Sequence, residues 1–170
     1  MIKCAIVGAT GLVGNSFLKI LEEKKLDNIS YTLFASKKSA GKKINFMWEE
    51  YEVHELKEDS FKKEKFDFAL FSAGAEISKK FCPIAARNGT IVIDNSSAFR
   101  MDKDVPLVVP EVNCEDIFKH KNIIANPNCS TIQAVVALKP LLDNYGLKRI
   151  IYSTYQAVSR SRSSWYRRFN

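Results

Sequence analysis

The chain has 170 residues, a length that holds one domain, or one domain and part of a second. Its hydrophobic content of 46% is enough for a sizeable core, and no run of about 18 apolar residues suggests a membrane span. The net charge is +7, but four arginines within residues 160–170 supply more than half of it, which argues against a nucleic-acid-binding body. Cys4, Cys82, Cys114 and Cys129 form no CxxC pair and have no metal-ligand spacing. The N-terminus lacks a signal peptide's basic start and long apolar centre. The expectation is a cytoplasmic protein with reduced thiols.

Residues 3–7 read as a short buried strand, and a helical pattern runs through Phe17, Leu18 and Leu21. Between them lies Gly8-Ala9-Thr10-Gly11-Leu12-Val13-Gly14. A strand, a glycine-rich turn and a helix in this order let backbone N–H groups approach a pyrophosphate. A second strand is expected at 29–35. A fold specific for NAD usually ends it with Asp or Glu. This chain instead has Ser36-Lys37-Lys38-Ser39-Ala40-Gly41-Lys42-Lys43, hydroxyls and ammonium groups that suit the 2′-phosphate of NADP.

Residues 52–56 are a candidate strand, 57–65 read as charged surface, and His54 reads as an ordinary strand or surface residue. Residues 66–72 form a clear buried strand ending in Ser72-Ala73-Gly74, small residues that let the backbone approach a cofactor. A helix over 77–88 stops at Gly89, and 90–93 is another strand. Strands alternating with helices predict an α/β class: a doubly wound, mostly parallel Rossmann-like sheet. Arg100 follows the last of these strands and can hold a phosphate or carboxylate in a planar fork. Residues 105–113 read as extended, and nothing ties His120 to Cys129 as a base.

Asn126-Pro127-Asn128-Cys129-Ser130-Thr131 lies between an apolar run, 123–125, and a helical pattern over 132–142. A cysteine at a helix N-terminus faces unpaired N–H groups and the positive end of the dipole, which favour the thiolate. Asn128 adds an amide for an oxyanion or phosphate oxygen. Gly146 reads as a helix stop, and 148–158 as a long strand that Gln156 helps to end.

Together GATGLVG (8–14), SKKSAGKK (36–43), SAGAEIS (72–78), DNSSAFRMDKDVPLVVPEVN (94–113), NPNCST (126–131) and YQAVS (155–159) resemble aspartate-semialdehyde dehydrogenase. The resemblance covers residues 1–159. It implies a cysteine nucleophile that takes the acyl group of 4-phospho-L-aspartate, releases phosphate, and yields L-aspartate 4-semialdehyde after reduction by NADPH. By resemblance Cys129 carries the acyl group, Asn128 and Arg100 bind phosphate, and Gln156 orients the substrate. Gly8, Thr10, Gly11, Leu12, Val13, Lys38, Ser39, Ser72, Ala73, Gly74 and Ser159 fall at the NADP site. The family usually has Arg at the position of Lys38. Lysine keeps the charge but loses the fork, so the preference for a 2′-phosphate is expected to be weaker. The family forms homodimers, and neither a nucleic acid, a membrane nor a metal is implied.

The resemblance ends where the family continues YQAVSGAG and this chain reads Ser159-Arg160-Ser161-Arg162. Arg160 replaces a glycine beside the cofactor, and the family's catalytic histidine and carboxylate-binding arginine have no counterpart. The expected organisation is an NADP-binding domain over 1–128, an incomplete catalytic and dimerisation domain over 129–159, and an aberrant basic tail over 160–170. Codons for Ala-Gly-Arg-Ala-Gly, read out of frame, can encode Arg-Ser-Ser-Trp, as at residues 162–165, and sequencing the DNA tests that origin. Weak or no catalysis is expected, because a general base contributes roughly two to four orders of magnitude. Alternatives are an N-acetylglutamyl-phosphate-type reductase and a non-catalytic NADP-binding fragment. Quenching of Trp48 or Trp165 by NADPH, with the alkylation rate of Cys129, would separate the last.

Overall fold

The computed structural model describes residues 1–26 and 28–155. In chain order the elements are β1 (Ile2–Val7), α1 (Leu12–Lys24), β2 (Ile29–Ala35), β3 (Lys43–Phe46), β4 (Glu49–Glu55), α2 (Ser60–Lys63), β5 (Phe68–Phe71), α3 (Ala75–Arg87), β6 (Ile91–Asp94), α4 (Pro110–Asn113), β7 (Ile123–Ala125) and α5 (Cys129–Tyr145). Short 3-10 turns occupy Lys37–Ser39 and Cys114–Lys119. Two compact units divide the chain, Met1–Ala137 and Leu138–Asn170.

The first unit holds a seven-stranded sheet in the order β3-β4-β2-β1-β5-β6-β7. All neighbours are parallel except β3, which pairs antiparallel with β4. The six parallel strands have the order of a dinucleotide-binding fold, so the α/β, doubly wound expectation holds. The chain leaves β1 towards β2 and returns on its other side with β5. The crevice outside the carboxyl ends of β1 and β5 is therefore the topological switch point.

Strands buried on both faces explain the continuous apolar runs in the sequence. Ala5, Val7, Phe34, Ala69, Phe71 and Val92 face one core, closed by Phe81, Cys82 and Ala85 of α3. Cys4, Ile6, Tyr31, Leu33, Ala35 and Val53 face the other, closed by Leu18 of α1. Each residue step along β1 changes face, as strand geometry requires.

Four local expectations need correction. The stretch 57–65 is charged but not all surface, because α2 buries Phe61 in the first core. Residues 105–113 are not extended throughout: Pro110 opens α4, where its missing N–H costs nothing. The strand expected from 52 begins at Glu49 and pairs with β3 through a hairpin that was not foreseen. Among the described residues, 148–155 form no strand. Alternation alone does not make one without a neighbour to accept its hydrogen bonds, and Tyr155 is fully exposed.

Candidate active site

Two strand-to-helix turns define the site, both at the carboxyl edge of the parallel sheet. In the first, Gly8 N and Ala9 N donate to Phe34 O, and Gly11 N donates to Gly8 O at 3.0 Å. Gly8 has φ +89, and a Cβ on it would meet the Ser72 backbone at 2.9 Å. The β1–α1 and β5–α3 turns approach so closely that only glycine fits. Ser72 Oγ donates to Val7 O at 3.2 Å across the same gap.

Between these turns lies a cleft of about 320 Å³ lined by Val7, Gly8, Thr10, Gly11, Ala35, Ser36, Leu56, Ser72, Ala73, Ile77 and Phe81. Gly8, Thr10, Gly11, Ser72 and Ala73, all picked from the sequence, thus line one cavity. Leu12 and Val13 are the first two residues of α1 and are exposed. Gly74 is the N-cap of α3 at φ +94. Lys38 and Ser39 lie in the 3-10 turn after β2, outside the cleft lining, whereas Ser36 reaches it. Leu56, Ile77 and Phe81 are lining residues that the sequence reading did not single out. Position could have found Leu56, which follows β4, the strand beside β2, at the same edge.

The residues present fit a dinucleotide. The N-cap of α1 is Gly11, which offers no side-chain cap, and the first turn holds no acid. The positive helix end is thus left for an external anion.

The second turn follows β7. Asn128 O accepts from Ile132 N at 3.0 Å, and Asn128 Oδ1 accepts from Ser130 N at 2.9 Å. Asn128 is therefore the N-cap of α5. Its oxygen is committed to the helix, so Nδ2 is the group it can offer to a ligand oxygen. Cys129 is the first residue of α5 and is exposed. Pro127, between them and Asn126, is buried and pins the segment.

Arg100 is fastened to that segment. Its Nε donates to Asn126 O at 2.9 Å and its Nη2 to Asn95 O at 3.1 Å. The structure so brings Arg100 to the backbone that carries Asn128 and Cys129. Gln156 and Ser159 lie outside the described residues. His120 accepts from Asn122 N through Nδ1, a local turn contact.

The other cysteines are in unlike settings. Burial pushes the Cys4 thiol up to about 12. Burial first, then the nearby Asp94, pushes Cys82 higher still. Cys114 is exposed, but its thiol donates to Glu115 Oε2 at 2.9 Å, and that bond and charge raise its pKa. Trp48 stands 78% exposed at the β3–β4 hairpin, beside Met1 and Ile29 at the amino ends of β1 and β2. That is the sheet edge opposite the cleft, so Trp48 is not placed to report on a ligand there; Trp165 lies outside the described residues.

Among the described residues no helix is long and apolar enough to cross a membrane, and no group of three or more His, Cys, Asp or Glu could hold a metal ion.

Residues 3–120 match the family described as semialdehyde dehydrogenase, NAD binding domain. An aspartate-semialdehyde dehydrogenase of Aquifex aeolicus is 60% identical over 160 residues, 92% of this chain and 46% of that protein. The crystal structure of aspartate semialdehyde dehydrogenase II complexed with ASA, from Vibrio cholerae, superposes with a TM-score of 0.81 at 49% identity. It covers 86% of this chain and 48% of its own. The structure of aspartate semialdehyde dehydrogenase with NADP from Candida albicans follows at a TM-score of 0.72 and 30% identity, over 86% of this chain and 48% of that one. This chain spans about half the length of the curated relatives it matches. It belongs to the semialdehyde dehydrogenase family, and its sheet unit is that family's nicotinamide-dinucleotide-binding domain.

Proposed function

We propose that the chain carries the cofactor-binding and acyl-transfer parts of an NADP-dependent aspartate-semialdehyde dehydrogenase, which converts 4-phospho-L-aspartate to L-aspartate 4-semialdehyde and phosphate on the route to lysine, methionine and threonine. The observation that carries this reading is Cys129 at the first position of α5, with Arg100 bonded to Asn126 O three residues upstream, at the sheet edge that holds the glycine-turn cleft. Residues 1–128 are the dinucleotide domain in this reading, and 129–159 begin the catalytic one. Gln156 orients the substrate and Ser159 completes the cofactor site. The full-length protein is a cytoplasmic homodimer.

In this mechanism the thiolate of Cys129 attacks the acyl carbon. A C–S bond forms, the C–O bond to the phosphoryl group breaks, and phosphate leaves with the electron pair. Arg100 and Asn128 Nδ2 stabilise the charge that develops on the leaving group. When bound, NADPH supplies the hydride that a thioester accepts more readily than a carboxylate. Gly8, Thr10 and Gly11 with the first N–H groups of α1 would hold its diphosphate. Lys38 and Ser39 would meet the 2′-phosphate, and Lys38 does so as a point charge without a fork. The Candida albicans relative, solved with NADP, supports that choice of dinucleotide.

Mixing the chain with 4-phospho-L-aspartate, quenching in acid and mapping the peptides by mass spectrometry tests the reading. One aspartyl group is expected on the peptide containing Cys129 and none on Cys129→Ala. An adduct elsewhere, or none on folded protein, contradicts it. The match of residues 3–120 to an NAD binding domain supports a second reading, a binding module that takes up NADPH without acylation. Dinucleotide binding with no adduct would select it.

A further inference from the structure

We propose that Asp94 is a positioning residue whose buried carboxylate sets the placement of Arg100 and of the segment bearing Asn128 and Cys129. This rests on the acyl-phosphate reading of that site.

Asp94 ends β6 and has no solvent exposure. Like Val92, two residues before it, it points to the face covered by α3. Its carboxylate accepts three hydrogen bonds. Ser78 Oγ donates to Oδ1 at 2.7 Å, Ser96 N to Oδ1 at 3.0 Å, and Ser96 Oγ to Oδ2 at 2.7 Å. Charge-assisted bonds of this length are the strong ones. They commit the Ser96 hydroxyl hydrogen to Asp94, so Ser96 Oγ presents its lone pairs to Ala98 N, which it binds at 3.0 Å. The turn from residue 95 to 100 is thus wound around one carboxylate.

Both ends of that turn reach the acyl-transfer segment. Asp94 O accepts from Asn126 N at 2.8 Å, and Asn95 Oδ1 accepts from Asn126 Nδ2. Asn95 O and Asn126 O are the two carbonyls that hold the Arg100 guanidinium. Asp94 therefore fixes the acceptors that aim Arg100, without touching a ligand itself. Ser78 lies on α3 one residue beyond Ile77, which lines the dinucleotide cleft. The same carboxylate so ties the phosphate-binding turn to α3, without reaching the cleft lining itself.

An apolar residue would fill the space, and the chain uses a buried acid. Asn at 94 keeps the shape but places Nδ2 where Oδ2 accepts from Ser96. Ser96 Oγ would then face two donors, and its own hydrogen would have to turn away.

The test measures iodoacetamide labelling of Cys129 in the 170-residue chain, peptide by peptide, against rising inorganic phosphate at constant ionic strength. NADPH affinity is measured in parallel by NADPH fluorescence. Phosphate should protect Cys129. Arg100→Ala and Asp94→Asn should each raise the half-protecting concentration about tenfold, the loss expected when a charged contact is removed or misaimed. Ser96→Ala should do so about threefold, and Ser96→Thr, which keeps the hydroxyl, should restore it. NADPH affinity should stay within about twofold. If Asp94→Asn fails to fold, the Ser96 pair decides. Protection lost in Arg100→Ala but unchanged in Asp94→Asn and Ser96→Ala would overturn the positioning role and leave the site reading intact. Protection unchanged in Arg100→Ala would overturn both. A parallel fall in NADPH affinity would make Asp94 a fold residue only, and also overturns the proposal.

Discussion

The two strand-to-helix turns of the site begin alike and end differently. Each follows a parallel strand, at Val7 and at Ala125, and each opens a long helix at the same sheet edge. The first is built of glycines, leaves α1 without a side-chain cap, and brings backbone against backbone. The second caps α5 from within through Asn128 and sets a cysteine at the first helical position. One helix end has no side-chain cap, and the other is closed by its own. The comparison teaches that a helix dipole does not define a site by itself; the residue at the N-cap decides whether the first N–H groups are open or are met from within the chain.

The largest expected contrast is between cysteines. Cys4 and Cys82 are buried with raised thiols, and at neutral pH they should label only after unfolding. Cys129 should label in the folded chain. Peptide mapping after iodoacetamide checks this, and early labelling of Cys82 would break the account of the α3 core.

Next in size is Gly14→Ala. A Cβ there would lie 2.1 Å from Gly8 O, which is backbone and cannot rotate away. Shifting α1 from β1 should cost on the order of 1–3 kcal/mol, as overpacking does, and should abolish NADPH binding. Gly89→Ala has open space around its Cβ and only the penalty of φ +85, so a loss of about 1 kcal/mol with unchanged NADPH binding is expected. Urea melts and NADPH fluorescence distinguish the two.

Asn128 sharpens the contrast at the other turn. Asn128→Ala should cost about 1 kcal/mol as a lost cap. Asn128→Asp should keep the cap and the stability, because Asp caps as well as Asn. Its charge should nonetheless remove phosphate protection of Cys129. Protection that survives Asn128→Asp would show that the residue only caps.

The smallest effect is at Cys114. Its thiol is held above the ordinary range by the Glu115 carboxylate, so at neutral pH less of it is thiolate and it should label slowly. Glu115→Gln should lower that pKa and speed labelling a few-fold at pH 7, with no change in Cys129. A pH–rate series for the Cys114 peptide shifted to lower pH is the expected signature.

The parallel, doubly wound sheet and the glycine turn were legible because their causes are local: apolar runs bounded by Gly8, Ser72 and Asn95, and a glycine spacing that only close backbone approach requires. The place of Cys129 at a helix start was legible for the same reason, since a strand end and a helical pattern flank it within a few residues. Asp94 was not. Its partners Ser78 and Asn126 lie sixteen and thirty-two residues away, and a buried acid has no signature before the fold brings its donors to it. The β3–β4 hairpin escaped because Met47 and Trp48 adopt φ +52 and +61 without the glycine or asparagine that normally signals such a turn. Over 148–155, the described part of the strand expected at 148–158, no strand forms, for the opposite reason. Its alternation is real, but a strand forms only against a neighbour.

The central claim is that the two turns serve one reaction, the open one holding the dinucleotide and the capped one holding the acyl group. The most direct measurement adds NADPH to chain already acylated by 4-phospho-L-aspartate and follows the Cys129 adduct by acid quench and mass spectrometry. The aspartyl group should leave Cys129 in a slow single turnover, with one aspartate semialdehyde formed per NADPH oxidised. An adduct that persists while NADPH is bound would contradict it, and would show two sites that share a sheet edge but not a reaction.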